Sequence, residues 1–125
     1  MNVNSENYVD LALRTEANPQ RRLSITSLRT RLLHASMGLC TEAGEFQSIL
    51  KRSTFYYADL NKTELLEELG DILWYVALAC DVMDVSLDEV MSKNIRKLRF
   101  RYPEVFSSLR AIKRNVEKER ELMEK

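Results

Sequence analysis

A near-absence of chain breakers constrains this sequence most: its 125 residues carry only three glycines and two prolines, and so offer little of the turn chemistry that many short strands need. Apolar residues recur instead at intervals of three and four, the spacing that lines one side of an α-helix. The expected fold class is all-α. The length suits one core of ordinary size, not two independent ones.

The periodicity divides the chain. A first helix is expected from about Ser5 to Glu16, followed by a polar connection containing Pro19, Arg21 and Arg22. A second, from about Thr26 to Arg52, carries Leu32, Leu39, Ala43, Phe46 and Leu50 along one stripe, and a loop follows from Ser53 to Asn61. Asn61 with Glu64 three residues later reads as the start of a third helix, which continues to about Met83 through Leu65, Leu69, Ile72, Val76 and Ala79. Ser86 with Glu89 opens a fourth, which must end by Tyr102 because Pro103 follows. From Ser107 onward the chain is helix-prone but dominated by charge, and either docks through Leu109, Ile112 and Val116 against a partner subunit or extends into solvent. The expected division is a domain over 1–106 and a charged helical tail over 107–125.

Composition narrows the function classes. Hydrophobic residues at 45% and charged residues at 30% suit a soluble globular protein. Lys plus Arg equals Asp plus Glu at 19 each, so no global field draws in nucleic-acid polymer or an anionic membrane, and any phosphate binding must be local. No run of about 18 apolar residues occurs. Cys40 and Cys80 belong to no CxxC pair and fall in apolar helical stretches, which reads as buried reduced thiols and a cytoplasmic setting.

The chemistry is carried by two acidic pairs. Leu39, Glu42, Ala43, Gly44, Glu45 and Phe46 repeat 26 positions later as Leu65, Glu68, Leu69, Gly70, Asp71 and Ile72. At about 100° per residue, the first acid of each pair lies about 60° from the stripe marked by Leu39 or Leu65 and the second about 120° away, so both pairs sit at the edge of the core. Four carboxylates at one locus repel one another unless cations intervene, and oxygen-only donors suit a hard cation such as Mg²⁺. The competing reading is a solvated helix flank. The single histidine, His34, excludes a di-iron carboxylate bundle, which needs one Glu-x-x-His from each of two helices. Gly38, Gly44 and Gly70 all fall inside expected helices, at a cost of roughly 1 kcal/mol each relative to Ala, and close approach of two helix backbones beside the acids is the simplest offset.

On the fourth helix, with Leu87, Met91 and Leu98 as its apolar centre, Asn94, Lys97 and Arg101 share one face, whereas Lys93, Arg96 and Arg99 point away. Turned toward the acids they suit a triphosphate chain; the alternative is charge favoured at a helix C-terminus. Trp74 and Tyr102 are candidates to stack on a base or to pack as core, and His34 either supports the acids or is structural.

The stretch from Leu32 to Glu45, the run Glu67-Glu68-Leu69-Gly70-Asp71, and Asn94 to Pro103 together resemble the MazG-like all-α nucleotide pyrophosphohydrolases, small members of which are frequent in bacteriophage genomes. The resemblance covers roughly Arg31 to Phe106. It implies a four- to five-helix bundle completed by oligomerisation as a homodimer or homotetramer. It implies Mg²⁺, with Mn²⁺ as a substitute, held by Glu42, Glu45, Glu68 and Asp71, and substrate phosphates contacted by Lys51, Asn94, Lys97 and Arg101. The implied reaction converts a nucleoside triphosphate and water to a monophosphate and pyrophosphate, in the host cytoplasm if the chain is phage-encoded. Many relatives carry a further Glu where this chain has Thr41, which leaves Glu42, Glu45 or a water relay to take the proton. The segment from Ser53 to Asp59 also lacks the glycine expected between the acidic helices. Alternatives are a non-catalytic helical interaction module and a pyrophosphohydrolase of phosphoribosylated nucleotides.

Overall fold

The computed structural model describes residues 1–17 and 25–125; the expected connection through Pro19, Arg21 and Arg22 lies outside them. Among the described residues the structure is all-α: α1 (Tyr8–Leu13), α2 (Ile25–Tyr56), α3 (Lys62–Val82), α4 (Leu87–Arg101), α5 (Ser108–Ile112) and α6 (Val116–Glu124). They form two compact units, Met1–Val85 and Ser86–Lys125. No helix is long and apolar enough to cross a membrane among the described residues.

The helix starts follow from local hydrogen bonding. The side chain of Asn61 accepts from the Thr63 backbone N–H at 2.9 Å and donates to Glu64 at 3.2 Å. Ser86 Oγ accepts from the Glu89 N–H at 3.0 Å, satisfying an amide that lacks a partner in the first turn. Pro103 ends α4, with Tyr102 as its C-cap. The stops of α2 and α3 use no glycine. Tyr57, at φ 57°, and Asp84, at φ 53°, adopt the left-handed conformation, and behind Asp84 the Val85 N–H closes onto the Cys80 carbonyl at 3.0 Å. Tyr57 thus fills the conformational role for which a glycine was expected, and α2 runs four residues beyond Arg52 to reach it.

In the first unit α3 packs against both α1 and α2. Leu13, Ala35 and Leu78 form the buried centre, with Val9, Trp74, Tyr75, Ala79 and Val82 packed around it. The buried stripe of α2 differs from the expected one. Arg31, Ala35, Gly38 and Ile49 are buried and Glu42 and Phe46 half-buried, while Leu32, Ala43 and Leu50 are exposed, a rotation of about one residue. Polar anchoring explains the phase: Arg31 Nε donates to Glu16 at 2.6 Å and its Nη2 to Glu16 at 2.8 Å and to Asp81 at 2.6 Å, tying the segment after α1 to α2 and α3. Farther along, a Cβ on Gly38 would overlap the Tyr75 ring. The expected close backbone approach at the glycines is therefore corrected, since Gly38 admits an aromatic ring and a Cβ at Gly44 or Gly70 would meet nothing within 4 Å.

In the second unit α6 packs against α4. Within this unit the tail packs through Glu119, which is buried, and Leu122 and Met123, which are half-buried, while Leu109, Ile112 and Val116, expected to dock on a partner subunit, are exposed. A charge does the docking. Arg101 donates to both Glu119 oxygens, with Nε at 2.8 Å, and Arg114 adds a third bond at 2.7 Å.

Candidate metal site

The rotation of α2 decides the geometry of the acids. Because its Ala35–Gly38–Glu42–Phe46 side faces α3, Glu42 comes beside Glu68, one on each helix. Glu42, Glu68 and Asp71 each bring a carboxylate oxygen to one point, all within 4.8 Å of one another. Glu45, the fourth expected acid, stands exposed outside this group. It is still near enough to act electrostatically. Burial first, then the charges of Glu45, Glu42, Asp71 and Glu67, push the Glu68 carboxyl above its ordinary range.

One atom singles Glu68 out. Its Oε2 is buried and has no hydrogen-bond partner, the only such side-chain atom among the described residues. A buried carboxylate oxygen facing other carboxylates is costly unless a proton or a cation meets it. Three oxygen donors with no nitrogen or sulfur suit a hard divalent ion. Glu42 has one further neighbour: the Thr41 hydroxyl lies 3.3 Å from Glu42 Oε1 and 3.0 Å from the Gly38 carbonyl.

Sequence reasoning missed the contribution of α1. Tyr8 is half-buried, and its hydroxyl is held protonated to higher pH, by burial first and then by the charge of Asp71. No motif announced it, because only the packing of α1 on α3 brings it within reach of that acid.

The remaining candidates separate. Trp74 donates its indole N–H to the Ala12 carbonyl at 3.0 Å, with the Thr15 hydroxyl at 2.7 Å, so the indole is an anchor for α1. His34 and Tyr75 meet it edge-on, at ring-centroid separations of 6.2 and 5.0 Å. Lys51 is exposed on α2, two turns beyond Glu45. In the second unit Asn94 is exposed and Lys97 half-buried, and Lys93, expected to point away, is half-buried and paired with Glu89 at 2.9 Å. Arg101 is held by Glu119, which raises the guanidinium pKa further and lowers the carboxyl to about 2. The Tyr102 ring packs on Phe106, at a centroid separation of 5.3 Å, and under the Arg101 guanidinium. Cys80 is buried as expected, but Cys40 is exposed.

The family model of the MazG nucleotide pyrophosphohydrolase domain matches residues 32–106. A 74-residue stretch is 38% identical to the Gene 37 protein of Mycobacterium phage L5, over 56% of this chain and 65% of that protein. This chain thus spans just under two thirds of that relative's length. No solved structure matches. The matched span takes in both acidic pairs and more than half of the sequence, and the chain belongs to the MazG nucleotide pyrophosphohydrolase domain family.

Proposed function

We propose that this chain is a Mg²⁺-dependent nucleoside triphosphate pyrophosphohydrolase, converting a ribo- or deoxynucleoside triphosphate and water to the monophosphate and pyrophosphate. The observation that carries the reading is the buried, partnerless Oε2 of Glu68 in the company of Glu42 and Asp71. Glu42, Glu68 and Asp71 would hold the ion, with Glu45 beside them, and Mn²⁺ would substitute. A divalent ion there would neutralise the acids and would supply stabilisation for the charge that develops on the phosphoryl oxygens.

The chain's own residues do the rest. Glu45, outside the convergent three and exposed, is the carboxylate left to accept the proton of the attacking water. The Thr41 hydroxyl, which ionises far too weakly to take that proton, orients Glu42. Lys51, Asn94, Lys97 and Arg101 bind the phosphates, Arg101 through the N–H groups that Glu119 leaves unused. The catalytic domain in this reading is 1–106 and the tail 107–125.

A homodimer or homotetramer in the cytoplasm completes the proposal. Its support is the pair of exposed apolar rows, Leu33 and Met37 on α2 and Leu66, Leu69 and Leu73 on α3, each at helical spacing. Incubation with Mg²⁺ and a panel of nucleoside triphosphates tests the function: pyrophosphate rather than orthophosphate should appear, and Glu42→Gln or Asp71→Asn should abolish it. Activity that survives both changes dismisses the metal site. Turnover of a phosphoribosylated nucleotide alone would move the substrate class, and no turnover together with no stabilisation by Mg²⁺ would leave an interaction module.

A further inference from the structure

A second concentration of charge lies wholly within the second unit. Phe100, Arg101, Arg110, Lys113, Arg114, Asn115 and Glu119 line a cavity of about 170 Å³. Four of these side chains are cationic and one is anionic, so the wall carries three more positive charges than negative. Glu119 uses part of that charge, taking two hydrogen bonds from Arg101 and one from Arg114. Arg110 and Lys113 enter no ion pair among the described residues. Arg114, with five donors, gives one to Glu119 and keeps the others.

Glu119 also shows what the pocket favours. Its carboxylate is 3% exposed and still ionised, since the guanidinium groups hold its carboxyl far below the usual range. Arg101 and Arg114 thus stabilise oxyanion charge at a nearly dry position, while Arg110 and Lys113 are exposed. The wall is also fixed in position: α6 is capped by Asn115, whose side chain accepts from the Lys118 N–H at 3.0 Å, and α5 by Ser107. All of it except Phe100 and Arg101 lies beyond residues 32–106, the span shared with the family.

We propose that this cavity is a further binding site, for a diphosphate anion, held by Arg110, Lys113 and the remaining N–H groups of Arg114, with Glu119 fixing the spacing of Arg114 and of Arg101, the one wall residue also assigned to the substrate phosphates. The excess positive charge calls for a multiply charged anion, the guanidinium forks for paired oxygens, and the volume for a diphosphate without an attached nucleoside.

Calorimetric titration of the full chain with sodium pyrophosphate in excess EDTA, which keeps divalent ions off the acids, tests this. Saturable one-site binding is expected, with orthophosphate at least tenfold weaker. The double variant Arg110→Ala/Lys113→Ala, both side chains exposed and unpaired, should weaken it at least tenfold with an unchanged circular dichroism spectrum. Glu119→Gln should tighten it severalfold, and Glu68→Gln should leave it unchanged. A nucleoside triphosphate that binds through the same two residues would identify the ligand as the phosphate end of a nucleotide; pyrophosphate alone would identify the free anion. No saturable binding, binding indifferent to the double variant, or binding lost in Glu68→Gln overturns the proposal.

Discussion

Glu42 and Glu68, at matching positions of the 26-residue sequence repeat, meet with Asp71 so that one oxygen of each lies within 4.8 Å of the others. Without a cation that contact is unfavourable, and its sign can be worked out. The folded-state pKa of Glu68 is raised above the ordinary 4.5, so the native protein holds the proton more tightly than the unfolded chain, and metal-free stability falls as pH rises from about 4.5. In EDTA at pH 7, Glu68→Gln should therefore melt higher than the parent. With Mg²⁺ the order should reverse, because an ion at about 100 times its Kd adds about 2.7 kcal/mol to the parent alone. Thermal melts with and without Mg²⁺ check both halves.

The glycines should divide by sign. Gly44→Ala and Gly70→Ala introduce a methyl that meets nothing and should each stabilise the free chain by about 0.5–1 kcal/mol through helix propensity. Gly38→Ala runs into the Tyr75 ring, and an overlap costing about 1–3 kcal/mol outweighs the same gain. Urea unfolding of the three variants measures the split.

Arg31 is buried with Glu16, at 6% and 7% side-chain exposure, and reaches Asp81 as well. Removing the guanidinium strips two acids of their counter-charge, so Arg31→Ala should destabilise by about 3–5 kcal/mol. Arg31→Met, which keeps the packing of the stem, should lose less. Equal losses in denaturant titrations would show that the charge, not the packing of the stem, holds α1 in place, and a loss confined to Arg31→Ala would show the reverse.

Glu119 gives the second unit an acid dependence. Its carboxyl is lowered from 4.5 to about 2 by hydrogen bonds from Arg101 and then Arg114, so its contribution is present above pH 4.5 and is lost as pH falls toward 2. Glu119→Gln should be less stable than the parent at pH 7, and the gap should close between pH 4.5 and 2. Parallel unfolding curves across that window read it directly.

Fold class, the starts of α3 and α4, the stop before Pro103 and both acidic pairs were legible in sequence, because each is set within a few residues: capping side chains, a proline ring, and the three-residue spacing that puts two acids on neighbouring faces of one helix. What lay beyond that reach was decided by contacts between elements. Apolar pattern alone placed Leu32, Ala43 and Leu50 on the buried side of α2, yet the clamp of Arg31 on Glu16 and Asp81 and the seat of Tyr75 on Gly38 turned that helix by about one residue. The turn carried Glu42 to Glu68 and left Glu45 outside, a distinction to which two identical side chains three residues apart are blind. Tyr8 beside Asp71 and Glu119 on Arg101 are pairings across 63 and 18 residues. Such partners are chosen by the energy of burying a charge, which depends on what the folded chain brings next to it and not on its neighbours in sequence.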